Sequence, residues 1–182
     1  MSETTFGWWF ADANGCVPRT GEKVTVGLSL TVAPPIVLCE HGLHGSERLI
    51  DALGYASSSI LTRCSYSGEI VRSDDKLAAS ERTVLWVGDI EPILHEAACH
   101  FAEVALRGIP NPDPRSIAAI AAKRAFLRRE ITAAELSAAE SAAWLAARSA
   151  ARSAAESAAW SAARSAQNDW LECAVRHFAG VD

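Results

Sequence analysis

The sequence has no long apolar run and no CxxC pair, and each absence excludes a class of protein. No apolar stretch approaches the ~20 residues that cross a bilayer, and the opening Met-Ser-Glu-Thr-Thr has no basic segment before an apolar one. The five cysteines are scattered and odd in number, which argues against a disulfide framework. We therefore expect no membrane association and a reduced, cytoplasmic setting.

Positive charge is also scarce. The formal net charge is −5, and residues 1–112 carry 8 Lys and Arg against 14 Asp and Glu. The remaining residues carry 9 basic side chains against 8 acidic ones. Neither part is basic enough to bind nucleic acid by displacing counterions, so we do not expect direct nucleic-acid binding.

Residues 6–87 are predicted to form an α+β unit with a small mixed or antiparallel sheet of about five strands. Alternating or short apolar runs predict the strands, and Ser46 is the predicted N-cap of one embedded helix that ends near Gly54. The predicted strands cover residues 6–10, 23–30, 36–38, 60–66 with 68–71, and 84–87.

A C-terminal, all-helical, alanine-rich extension follows this unit. Asp89 and Gly108 bound a predicted helix, and the proline-rich stretch 109–113 predicts a linker. Pro114 starts the next helix, Thr132 to Glu135 form a capping box, and a Ser-Ala-Ala-x repeat runs from Ser137. We therefore predict domains at 1–108 and 114–182.

Reactive side chains are concentrated in the segment Cys39-Glu40-His41-Gly42-Leu43-His44-Gly45-Ser46, after a predicted strand and before the predicted helix. Cys39, His41 and His44 are ligand types that suit zinc, although their spacing matches no standard zinc finger. Alternatively, one histidine orients the backbone of the turn and the cysteine is a small buried apolar residue. Nothing supplies a complete catalytic set, so no catalytic residue is assigned.

The order of strand, Gly-Leu-His turn, helix and strand in this region is similar to the core of ADP-ribosyltransferase-like folds. This resemblance implies an NAD or nucleotide pocket around His44, with Tyr55 and either Glu69 or Glu81 in supporting roles and His41 nearby. The expected cofactor is none, with zinc and NAD as the alternatives.

Four segments, 39–46, 51–55, 66–70 and 74–81, together resemble an uncharacterised domain family that is common in phages and prophages. Gly45 stands where alanine is commoner in that family. The tail is similar in composition to the Ala/Trp/Arg helical repeats of immunity-protein-like sequences. These resemblances imply a small accessory protein of phage or mobile-element origin that acts inside a bacterium. No activity follows from either resemblance.

The leading functional prediction is a protein that binds another protein, specifically an anti-CRISPR-like inhibitor of a bacterial defence system. Tryptophan and arginine are enriched at interface hot spots, and the tail supplies a candidate surface for a host defence component: Trp144, Arg148, Arg152, Trp160 and Arg164. The alternatives are a nucleotide-binding or ADP-ribosyltransferase-like enzyme at the His44 pocket, and a structural module that forms homo-oligomers.

Overall fold

The computed structural model describes residues 4–150 and 157–180. The chain forms two compact units. One contains Met1–Glu91 together with Arg164–Asp182, and the other contains Pro92–Ala163. This division differs from the predicted domains, because the end of the C-terminal helix packs on the sheet domain.

The first unit is built on a five-stranded antiparallel sheet, which confirms the α+β prediction. Its centre is a long hairpin of β4 (Ile60–Arg72) and β5 (Leu77–Asp89). Strand β1 (Thr5–Phe10) pairs with β4, while β2 (Ser29–Thr31) and β3 (Leu43–Gly45) both pair with β5.

A backbone bridge between Trp8 and Ser46 joins β3 back to β1. Trp8 N–H donates to Ser46 O at 2.7 Å, and Ser46 N–H donates to Trp8 O at 3.0 Å. Strands β1, β4, β5 and β3 therefore form a continuous hydrogen-bonded circuit. Tyr66 of β4 is fully buried among the core residues of this unit: Ala11, Val17, Val24, Cys64, Leu77, Ala79 and Val84.

A short helix, α1 (Leu49–Leu53), follows β3 and is capped by the C-terminal helix α5 (Ser157–Ala179). Glu172 Oε1 accepts the Leu49 N–H at 3.2 Å, and Asn168 Oδ1 accepts the Ile50 N–H at 3.0 Å. These two side chains satisfy N–H groups that a helix start leaves without partners. The prediction that Ser46 caps this helix is wrong, since Arg48 is the N-cap residue and makes no side-chain cap bond.

The second unit contains most of α2 (Glu91–Arg107), with α3 (Pro114–Leu127) and α4 (Ala133–Ala150). The predicted helix starts are confirmed, because Asp113 accepts the Arg115 N–H at 2.8 Å and Thr132 and Glu135 form the capping box. Arg124 of α3 joins α2 through Glu96 at 2.7 Å and through Glu103.

Two predicted strands are wrong. Of residues 23–30, only the last two belong to a strand, because Gly27 has a φ of 87° and breaks the extended run. Residues 36–38 enter a tight turn in which Val37 and His41 exchange backbone hydrogen bonds. As a result, the 39–46 segment leads out of a turn and contains strand β3.

Candidate ligand-binding cleft

A cleft of about 320 Å³ opens beside β3 in the first unit. Its walls come from β1, from the 39–46 segment, from α1 and its following turn, and from the β4–β5 turn. The lining residues are Trp8, Trp9, Phe10, Arg19, Cys39, His44, Gly45, Ser46, Ala52, Tyr55 and Lys76. The volume is at the lower end of the ~300–1,000 Å³ that is typical of small-molecule sites.

The polar groups of this cleft favour negative charge. Arg19 and Lys76 supply two cations, and His44 supplies an imidazole. None of the residues that line the cleft is an aspartate or a glutamate. A ligand carboxylate or phosphate would therefore meet hydrogen-bond donors and no carboxylate among the lining residues.

His44 is half-buried and is held as the neutral imidazole. Its Nε2 accepts the Cys39 N–H at 2.9 Å, an arrangement that requires an unprotonated ring nitrogen. Burial lowers the pKa of His44, and the positive charges of Arg19, Lys76 and Arg82 lower it further against the opposing Gly42 hydrogen bond. His44 thereby fixes the turn that places Cys39 at the cleft, where the Cys39 backbone has a φ of 68°.

Tyr55 and Lys76 lie side by side in one wall of the cleft. The Tyr55 hydroxyl donates to Asp75, and this bond raises the pKa of Tyr55 and lowers that of Asp75. Lys76 Nζ lies 5.2 Å from the centroid of the Tyr55 ring. A hydrogen bond with the Cys39 side chain is the largest cause that raises the pKa of Lys76.

Arg82 supports the cleft from within the core. It is 3% exposed, its Nη1 donates to His44 O at 3.1 Å, and its guanidinium lies 3.8 Å from the Trp9 ring centroid. The guanidinium therefore fixes both the β3 backbone and an aromatic wall residue. A buried cation of this kind also contributes positive potential to the cleft.

The predicted pocket residues divide into two groups. His44 and Tyr55 line the cleft, whereas His41, Glu69 and Glu81 do not. Glu69 Oε1 accepts the Ile36 N–H at 3.0 Å, Glu81 Oε2 accepts from the Ser67 hydroxyl at 2.7 Å, and His41 Nε2 bonds with Ala33 O at 2.7 Å. The two glutamates thus hold neighbouring backbone and side chains in place.

The cleft also contains two cations that are absent from the predicted site, Arg19 and Lys76. Lys76 lies in the turn between β4 and β5, and the sequence predictions assign it no role in the pocket. Arg19 lies in an irregular loop and is brought to the cleft only by tertiary structure, so no sequence pattern indicated it.

Within residues 4–150 and 157–180, no group of three or more His, Cys, Asp or Glu side chains is placed to hold a metal ion. Cys39 and His44 meet through the Cys39 backbone N–H, and His41 faces the Ala33 carbonyl. The zinc alternative therefore gains no support from the geometry of these residues.

The candidate partner surface is described at one of its five positions. Arg164 Nη2 lies 3.0 Å from Asp51 Oδ1, so this arginine joins α5 to α1. The Arg152 residue and the side chains of Trp144, Arg148 and Trp160 lie outside the described part of the chain.

No family model, curated protein or solved structure matches this chain. The phage-domain resemblance therefore stays a prediction. Among the helices that the structure describes, none is both long and apolar enough to cross a membrane.

Proposed function

We propose that this protein binds a small anionic ligand with an aromatic group, of about the size of a mononucleotide, in the cleft around His44. The observation that carries the proposal is the convergence of Arg19, Lys76 and the neutral His44 beside Trp9 and Tyr55, without a lining carboxylate. Cations supply phosphate recognition, and aromatic side chains supply a surface for a base.

A binding role is favoured over a transferase role. In the ADP-ribosyltransferase-like resemblance a glutamate takes part in holding NAD, but Glu69 and Glu81 are both engaged outside the cleft. The volume of about 320 Å³ also suits one nucleotide better than a dinucleotide. In the phage setting implied by the sequence, such a protein would trap or sense a nucleotide signal of the host.

The role of an inhibitor that binds a host defence protein also stays a proposal. It rests on the sequence of the helical tail, and four of its five predicted partner residues have side chains outside the described part of the chain. A pull-down from host lysate tests it, and retention of no stoichiometric partner would count against it.

Thermal denaturation tests the ligand proposal. Adenosine 5′-monophosphate, cyclic AMP and NAD are compared at concentrations up to several millimolar. A ligand at 100 times its Kd stabilises the folded state by about 2.7 kcal/mol, so the mononucleotide should raise the Tm measurably. Lys76→Gln should reduce that increase, whereas the matched variant Lys123→Gln on α3 should retain it. No increase with any of the three ligands would count against the proposal.

A further inference from the structure

Trp8 also lines a second cleft in the first unit, with a volume of about 270 Å³. Its polar and aromatic lining consists of Arg63, Trp86 and Arg176 together with Trp8. Arg63 and both tryptophans come from the sheet, while Arg176 comes from the C-terminal end of α5. The proposed mononucleotide site shares only Trp8 with this set.

The strand register explains why these side chains meet. Trp8 of β1 is directly opposite Arg63 of β4, and Arg63 is directly opposite Trp86 of β5. Directly paired residues of antiparallel strands project from the same face. Trp8, Arg63 and Trp86 therefore form one cross-strand row in which Arg63 is the middle residue.

Gly88 makes room for the Trp86 ring. A Cβ at position 88 would come within 2.6 Å of Trp86 Cζ2 and 2.7 Å of Cη2. The indole thus lies along its own strand over the glycine. This fixes an aromatic wall of the second cleft.

Two hydrogen-bond donors at this cleft lack acceptors among the residues that the structure describes. The half-buried Arg63 guanidinium lies 4.5 Å from the Trp8 ring centroid and makes no ion pair or hydrogen bond there. Trp8 Nε1 is buried without a hydrogen-bond partner. A buried donor such as Trp8 Nε1 normally has a partner, since an unmet donor destabilises the folded state. The Arg63 guanidinium is only partly buried, so its N–H groups are open to a ligand in the cleft.

Glu172, a carboxylate that acts electrostatically on Arg63, is already engaged. Its Oε1 accepts the Leu49 N–H at 3.2 Å and an Asn168 amide hydrogen at 3.2 Å, and its Oε2 lies 3.6 Å from Arg176. Burial is the main cause that lowers the pKa of Arg63; the charge of Glu172 opposes this shift, and repulsion from the positive charge of Arg176 lowers the pKa further. An external anion would relieve this repulsion.

We propose that the second cleft is a binding site for an oxyanion carried on a planar apolar group, with Arg63 as the main anion ligand. The guanidinium presents paired N–H groups that match a carboxylate or a phosphate. Trp8 and Trp86 provide flat apolar walls for the attached group. Arg176 supplies the second charge from α5.

The test uses the full-length protein and three probes of similar size: benzoate, phenyl phosphate and the uncharged benzamide. The indole N–H signals are followed by two-dimensional ¹H–¹⁵N NMR after assignment by Trp→Phe variants. Benzoate or phenyl phosphate should shift the Trp8 and Trp86 signals in a saturable manner, and benzamide should not. The stronger of the two anions identifies carboxylate or phosphate as the preferred group.

Arg63→Gln should weaken binding of the preferred anion by about tenfold or more, as expected for loss of a charge-assisted pair. The matched charge removal Arg128→Gln, at the exposed C-cap of α3, should leave the affinity for this anion unchanged. If Arg63→Gln does not fold, Arg176→Gln on the exposed side of α5 should still weaken binding severalfold.

Four results would overturn the proposal. Benzamide could bind as tightly as benzoate, folded Arg63→Gln could retain wild-type affinity, or the anions could shift only the Trp9 signal of the first cleft. An absence of shifts with both anions at millimolar concentrations would overturn it as well. Failure of the second-cleft proposal can be distinguished from failure of the mononucleotide proposal, because only the mononucleotide proposal depends on Arg19 and Lys76.

Discussion

Gly45 determines how closely β3 approaches β4. A Cβ at this position would lie 2.0 Å from the Tyr66 hydroxyl oxygen and 3.0 Å from Trp8 O. Tyr66 is fully buried and donates to His44 O at 3.3 Å, so its ring has little freedom to move. The absence of a side chain at Gly45 therefore permits both the strand circuit and the shape of the first cleft.

Gly45→Ala should lower the free energy of unfolding by about 1–3 kcal/mol, the usual penalty for overpacking a core. Urea denaturation followed by circular dichroism measures this change. Gly108→Ala is the matched control, because a Cβ there would meet its nearest neighbour at an ordinary 3.5 Å. Equal stabilities of the two variants would contradict the packing argument.

His44 should make stability depend on pH. Its pKa is lower in the folded state than the ordinary 6.5, so the unfolded chain binds the proton more readily. The contribution of neutral His44 to the free energy of unfolding is fully present above pH 6.5. It is lost as the pH falls from 6.5 through the lowered pKa of the folded state.

His44→Gln should flatten this part of the stability profile between about pH 7.5 and 5, whereas His41→Gln should retain it. The free energy of unfolding is measured by urea titration at each pH. A wild-type profile that does not fall in this range, or one that His44→Gln leaves unaltered, would be inconsistent with a neutral His44.

At the scale of elements, α1 depends on a distant part of the sequence for its caps. Asn168 and Glu172 of α5 accept its first N–H groups, and Arg164 pairs with Asp51, whose side chain is 6% exposed. A five-residue helix has little intrinsic stability, so these contacts account for its persistence.

Asn168→Ala should lower the free energy of unfolding by about 1 kcal/mol, a typical value for loss of an N-terminal cap. Ser165→Ala, at an exposed position one turn earlier on the same helix, is the control. Chemical denaturation of both variants compares them. If Asn168→Ala lowers the free energy of unfolding no more than Ser165→Ala does, the Asn168 cap contributes nothing measurable to stability.

Local sequence patterns predicted those helices and strands that depend on interactions between residues close together in the sequence. The period-2 run of β4, the Asp113 cap and the Thr132–Glu135 capping box all depend on residues a few positions apart. The α1 caps and Arg19 could not be predicted in this way, because they depend on tertiary contacts. His44 and Tyr55 were identified as pocket residues, but Glu69 and Glu81 show that residue type alone does not place a side chain in a cleft.

At the scale of the whole molecule, the sheet domain is completed by the last helix. Leu171 and Val175 are buried in the first unit and come from α5, beyond the predicted domain boundary at residues 109–113. Burial of each such side chain is worth about 1.5–3 kcal/mol. The N-terminal domain and the end of α5 are therefore expected to fold together.

A chain truncated after Pro112 should consequently be several kcal/mol less stable than the full-length protein, with a lower Tm by circular dichroism. The loss combines exposure of the apolar surface under α5 with loss of the α1 caps. A truncated chain with the full-length Tm would contradict this account of the domain.

The central claim is that the His44 cleft binds a mononucleotide-sized anion, and isothermal titration calorimetry tests it most directly. Adenosine 5′-monophosphate is titrated into the wild type and into a folded Arg19→Gln, Lys76→Gln double variant. We predict saturable one-to-one binding to the wild type and a loss of at least about tenfold in affinity in the double variant. No heat of binding to the wild type, or equal affinities for both proteins, would contradict the claim.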